Sequence, residues 1–220
     1  MPILDKVIFD FDGTLIDSQP GIAASAEKAF KNVLPGFPIP NFTALIGPPL
    51  RQMFLEVIPK DSDPIILNRL IDEFRISYDF DGWQNSILYS GVLETLNLLK
   101  KYKIDLWVLT NKRRVPVELM MTYHGLSHFD RVITSDSSLK NNKQSAFEEQ
   151  WLKSKFQSQN SVLIGDSIDD LIIAKKFNLQ FIAISYGYGS KLLTSNRDVK
   201  YYVEKFSEII PKLKYMKLWL

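Results

Sequence analysis

The sequence predicts an α/β protein: a parallel sheet core with helices on both faces, interrupted by a small all-helical unit. Three observations predict it. Apolar runs of strand length end in polar residues able to do chemistry; after Gly91 such runs alternate with helical stretches; and residues 41–88 carry helical periodicity with no convincing strand.

Taken in order, residues 6–11 are almost continuously apolar and aromatic, as in a buried strand, and Gly13 then provides a turn. Ser18 can cap a helix running through Ala23, Ala26, Ala29 and Phe30, which the Pro/Gly cluster at residues 34–40 ends. Leu50, Phe54, Leu55 and Ile58, then Ile66, Leu70, Ile71, Phe74 and Tyr78, mark the helical unit. Beyond Gly91 come a helix ending near Tyr102, a strand at 104–109, a helix over about 115–123 and a short strand at 131–134. A helix from about Lys143, the strand SVLIG, a helix over 171–177 and the strand FIAIS complete the pattern. The C-terminal KLKYMKLWL reads as a short terminal helix packed on the core; lying on a membrane surface is the competing reading.

The 220 residues allow one substantial core plus a smaller unit. With 27 basic against 25 acidic residues the chain carries no electrostatic footprint for nucleic acid or anionic membrane. The absence of cysteine excludes a disulfide framework and thiolate metal sites. No run approaches the ~20 apolar residues that span a bilayer, and nothing resembling a signal peptide precedes Asp5, Asp10 and Asp12. A cytoplasmic location is therefore expected.

Asp10 and Asp12 stand two apart at the end of the first strand, so their side chains project together. Such a pair is repulsive unless a cation compensates, and hard oxygen ligands of this kind suit Mg²⁺; a solvated strand-to-loop corner is the competing reading. Asp166 ends a second strand, and Asp170 lies one helical turn beyond it on the same side. Helix capping competes there, and it is the whole reading for Asp169. Thr110 and Asn111 end a third strand and could donate to phosphoryl oxygens or simply cap a helix. Lys143, with Asn142 as its cap, opens a helix where its charge opposes the dipole and calls for an anion; Lys140 is the competitor. Lys112, Arg113 and Arg114 read as a surface charge run. His124 and His128 fall in a helix-to-strand connection, and the four tryptophans read as packing residues. In open α/β sheets ligands bind at the carboxyl ends of strands, where the carboxylates, the hydroxyl and the ammonium converge.

In this order DFDGTLIDS, VLTN, a helix-leading lysine and GDSIDD resemble the four motifs of the haloacid dehalogenase-like hydrolase superfamily, over nearly the whole chain. Ile46-Gly47-Pro48-Pro49-Leu50 and Tyr186-Gly187-Tyr188-Gly189 resemble segments of its phosphoglycolate phosphatase-like members. The resemblance implies a Rossmann-like core domain at residues 1–16 and 87–220 and a helical cap domain at 17–86. It implies Mg²⁺-dependent hydrolysis of a small phosphorylated metabolite, with Asp10 as nucleophile and Asp12 as general acid and base. The metal would be held by the Asp10 side chain, the Asp12 backbone carbonyl and Asp166, with Asp170 in support. Gly13, Thr110, Asn111 and Lys143 would hold the phosphoryl group, and Gly47 and Arg51 would face the substrate from the cap. A monomer or homodimer is expected. The same motifs fit a phosphosugar mutase, and a non-catalytic binding protein is the reading from a different class, against which the presence of Asp10 and Asp166 speaks. Three positions depart from the family pattern: Ser90 replaces a usual Pro, Asn178 a usual Gly, and residues 140–143 lack a Lys-Pro pair.

Overall fold

The computed structural model describes residues 4–153 and 160–219. The chain divides into two compact units, Met1–Asp17 with Leu88–Leu220, and Ser18–Ile87.

The strands, numbered along the chain, are β1 (Lys6–Phe9), β2 (Ile16–Asp17), β3 (Ile87–Leu88), β4 (Asp105–Leu109), β5 (Arg131–Ile133), β6 (Ser161–Gly165), β7 (Gln180–Ile184) and β8 (Tyr202–Val203). Six of them form a sheet in the order β5-β4-β1-β6-β7-β8, every neighbouring pair parallel. The chain leaves β1 to one side through β4 and β5, and to the other through β6, β7 and β8. The reversal of strand order therefore falls beside β1, where open α/β sheets place their ligands. All residues of β1 and β6 are buried, which is why residues 7–9 and 162–164 read as continuous apolar runs. Phe9 lies in register with Val108 on one side and Ile164 on the other. That shared register brings the residues following the three central strands to one edge of the sheet.

The helices of this unit are α4 (Val92–Lys101), α5 (Arg114–Tyr123), α6 (Lys143–Leu152), α7 (Ile168–Lys176), α8 (Ser190–Thr194) and α9 (Ile209–Tyr215). Ile8, Trp107, Leu163, Phe147, Ile173 and Ala183 share one buried cluster between sheet and helices. Lys6 is also fully buried; its ammonium pairs with Asp105 and lies 3.4 Å from the centre of the Trp107 ring. The terminal stretch packs on the core through Leu213 and Trp219, which stacks edge-on to Tyr102 at 4.7 Å between ring centres; Leu220 lies outside the described residues. Asn178 adopts φ +53°, a left-handed conformation that asparagine tolerates better than most residues.

The second unit holds α1 (Gln19–Val33), α2 (Leu50–Leu55) and α3 (Pro64–Phe80), with short 3₁₀ turns at Phe42–Leu45 and Gly82–Gln84. Its core is a chain of rings: Phe30 meets Phe42, Phe42 meets Phe54, Phe54 meets Phe74, and Phe74 stacks on Tyr78 at 5.3 Å. Phe54 is fully buried in that chain, and truncating it to alanine would cost about 3 to 5 kcal/mol.

Two local expectations are corrected. Ser18 occupies the N-cap of α1, yet its side chain makes no capping bond; Pro in the first turn, which needs no partner for a backbone N–H, starts the helix instead. β2 and β3 pair into a two-stranded ribbon, although residues 41–88 carry no strand signal, because two residues are too few to show a period.

Candidate active site

Asp10 directly follows β1, is 7% exposed, and accepts a hydrogen bond at Oδ1 from the Phe11 backbone N–H at 2.8 Å. Asp166 directly follows β6, is 3% exposed, and its Oδ2 accepts from the Gly189 N–H at 3.2 Å. Asp170 lies in the first turn of α7 and is fully buried. One carboxylate oxygen from each of the three lies within 4.8 Å of the others. The reason α7 carries an acid there is partly local: Ser167 and Asp170 form a reciprocal capping box, with the Ser167 N–H donating to Asp170 Oδ2 at 3.1 Å. Asp169, by contrast, is exposed and takes no part in that box.

Lys143 opens α6 and is buried at 3% exposure. Its Nζ donates to Asp170 Oδ1 at 2.7 Å and lies 3.3 Å from Asp10 Oδ2. This is the anion its position at a helix N-terminus calls for. Lys140 is exposed. Asn142 caps α6 by accepting from the Ser145 N–H, and Asn111 Oδ1 accepts from the Lys143 N–H at 3.1 Å. With its oxygen so used, the Asn111 NH₂ is the end that can donate to a ligand. Thr110 is buried and its Oγ1 accepts from the Lys112 N–H at 3.0 Å. Asn111, Asn142, Lys143 and Ser145 line a cavity of about 330 Å³.

Three carboxylates against one ammonium leave the cluster net negative in a buried setting. Burial, followed by the charge of Asp170, pushes the Asp10 carboxyl well above its ordinary range, against the pull of Lys143. Burial and Asp170 likewise push Asp166 up to about 6. Burial alone would lower the Lys143 ammonium, but Asp10 and Asp170 hold it above its usual value. Hard, buried oxygen donors with surplus negative charge form a donor set that suits a divalent cation.

The Asp12 side chain points elsewhere. Its Oδ1 pairs with Lys112 Nζ at 3.1 Å, and the Lys112 side chain is only 8% exposed. Lys112 is therefore no member of a surface charge run, and that reading is corrected. Its position immediately after Asn111 at a strand end was the signal available, but a run of three cations hides it. Gly13 has φ +75°, and a Cβ there would come within 2.5 Å of Asp166 Oδ2. Gly187, after β7, packs as closely: an added Cβ would lie 2.5 Å from both Asp166 Oδ2 and the Gly13 carbonyl oxygen. Tyr186 fastens this loop by donating its O–H to the Thr14 carbonyl at 2.9 Å. Gly47 and Arg51 belong to the second unit, where Gly47 has φ +144° and Arg51 is exposed and reaches Asn68 Oδ1 at 3.5 Å.

The model of the family described as haloacid dehalogenase-like hydrolase matches residues 7–184. A phosphoglycolate phosphatase of Vibrio vulnificus is 31% identical over 197 residues, covering 83% of this chain and 84% of the relative. Another, from Photobacterium profundum, is 29% identical over 94% of this chain and 95% of its own length. A crystal structure named as a predicted phosphatase from Clostridium acetobutylicum superposes with a TM-score of 0.82 at 29% identity, covering 96% of this chain and 99% of that one. The chain belongs to the haloacid dehalogenase-like hydrolase family, and it is an enzyme of the hydrolase class. No helix among the described residues is long and apolar enough to cross a membrane.

Proposed function

We propose that the protein is a Mg²⁺-dependent phosphatase that hydrolyses a small phosphate monoester through an aspartyl-phosphate on Asp10. The observation that carries this reading is the convergence of Asp10, Asp166 and Asp170 within 4.8 Å of one another at the strand-order reversal, with Lys143 against them. A buried, net negative cluster is costly to keep without a cation. Asp10, Asp166 and Asp170 would hold Mg²⁺, with the Asp12 backbone carbonyl completing the set. Bound there, the ion would neutralise phosphate charge and favour ionised Asp10.

Asp10 attacks phosphorus while the bond to the leaving oxygen breaks, and Asp12 gives that oxygen its proton. Asp12, now a carboxylate, takes a proton from water, which attacks the phosphorus of the aspartyl-phosphate and releases phosphate with Asp10 regenerated. Lys143, the Asn111 NH₂, Thr110 and the backbone at Gly13 bind the phosphoryl oxygens. The helical second unit would serve as the cap, with Gly47 and Arg51 as its candidate substrate-binding residues. Its relatives' names make 2-phosphoglycolate the first substrate to try.

Phosphate release from p-nitrophenyl phosphate, 2-phosphoglycolate and sugar phosphates, with Mg²⁺ or EDTA, tests the reading for wild type and Asp10→Asn. Mg²⁺-dependent turnover that the substitution abolishes supports it. Turnover that survives EDTA or Asp10→Asn overturns it.

A further inference from the structure

We infer that Lys112 is a positioning residue for Asp12, fixing the carboxylate on the leaving-group side of the site. The inference rests on the reading of Asp12 as the group that protonates the leaving oxygen.

Asp12 is the one acid of the site that stands apart from the carboxylate cluster: Asp10, Asp166 and Asp170 share the cluster, whereas Asp12 turns to Lys112. An aspartate just ahead of a turn glycine has several rotamers open to it, and a proton donor works only when its oxygen lies within hydrogen-bond reach of the atom it serves. The 3.1 Å ion pair selects among those rotamers. Lys112 is itself fixed, because its backbone N–H is bound by Thr110 Oγ1 at 3.0 Å and its backbone carbonyl accepts from the Ser135 N–H at 3.2 Å. The ammonium therefore projects from an anchored turn at the end of β4, and its side chain is 8% exposed, so water competes little for the pair. Asp12 is 20% exposed, so its carboxyl group stays accessible to a bound ligand. The arrangement assigns separate cations to the two tasks: Lys143 faces the nucleophile, and Lys112 faces the proton donor.

Leaving groups distinguish this role from a merely structural one. An alkoxide departs poorly and needs a well-placed proton, whereas p-nitrophenolate departs readily and needs little help. kcat/KM covers the steps through departure of the leaving group, so the comparison isolates Asp12's first task. For Lys112→Met, kcat/KM should fall at least about tenfold more on glycerol phosphate and 2-phosphoglycolate than on p-nitrophenyl phosphate, since small misplacements of a reacting group are costly. Lys112→Arg, which keeps the charge and a donor, should recover most of the difference, and it keeps the test decisive if Lys112→Met folds poorly. Equal losses on all three substrates, or a loss confined to the carboxylate-bearing 2-phosphoglycolate, would overturn the inference. Asp12→Asn is the control for the underlying reading: if it loses alkyl substrates selectively while Lys112→Met does not, only the positioning role fails. If Asp12→Asn shows no selectivity, the assignment of Asp12 fails first.

Discussion

Removing the charge of Asp10 should make the metal-free protein more stable even as it destroys the active site. Lys143 lies 3.3 Å from Asp10 Oδ2, an attraction of about 5 kcal/mol at an effective dielectric constant of about 20. Asp166 and Asp170 each bring an oxygen within 4.8 Å of the cluster, and each then repels an ionised Asp10 by at least about 3.5 kcal/mol on the same scale. The repulsions exceed the attraction by about 2 kcal/mol, before the cost of desolvating Asp10 is added. Asp10→Asn keeps the shape and removes the charge, so it should stabilise the protein by about 2 kcal/mol in EDTA at pH 8. The sign follows from linkage. A carboxyl whose folded value is raised above the ordinary 3.8 contributes stability that is fully present below that value and is lost as pH rises through the raised one. The advantage of Asp10→Asn should therefore open above about pH 4 and widen toward neutrality. Urea denaturation followed by far-UV circular dichroism, in EDTA at pH 5 and pH 8, measures it. Saturating Mg²⁺, which the intact carboxylate set should bind better, should shrink or reverse the difference. A wild type at least as stable as Asp10→Asn in EDTA at pH 8 would refute the argument, because Lys143 alone would then balance the cluster.

The surrounding residues give further expectations. Gly187→Ala places a methyl group against Asp166 and the Gly13 carbonyl, so the Mg²⁺ concentration for half-maximal activity should rise at least about tenfold; an unchanged titration would show that the loop does not support Asp166. Lys143→Met leaves the three buried carboxylates without their ammonium and should cost about 3 to 5 kcal/mol in EDTA, with Mg²⁺ restoring part of the loss in thermal scans. Burial pushes the Lys6 amine down to about 8 despite its bond to Asp105, so the folded state binds fewer protons than the unfolded chain between that value and the ordinary 10.5. Stability of wild type relative to Lys6→Met should thus rise by about 1 kcal/mol between pH 8 and pH 9, and a flat difference would count against the buried amine.

The parts legible in the sequence were those fixed by local pattern. Residues 7–9 of β1 and 162–164 of β6 are apolar runs with acids just beyond the strand ends, so those ends and the residues on them could be read directly. Asn142 stands where a cap belongs, and it marked Lys143 as the start of α6. What could not be read depends on partners far along the chain. Lys112 meets Asp12 a hundred residues away, and nothing in Lys-Arg-Arg marks out the one of the three that pairs with it. Gly187 is required by its approach to Asp166, a contact that no local conformation demands. Lys6 opens the first strand, and only the pairing of β1 with β4 brings Asp105 and Trp107 around it. The β2–β3 ribbon joins segments some seventy residues apart with two residues each, which leaves no periodicity to detect.

The central claim is that Asp10 carries the phosphoryl group in mid-reaction. The most direct measurement is rapid acid quench of the enzyme turning over a radiolabelled phosphate monoester with Mg²⁺, followed by proteolysis and mapping of the label. The account predicts label on the peptide containing Asp10, released by hydroxylamine as an acyl phosphate should be, and absent from Asp10→Asn. Label on a different residue, or an Asp10→Asn protein that still turns substrate over, would contradict it.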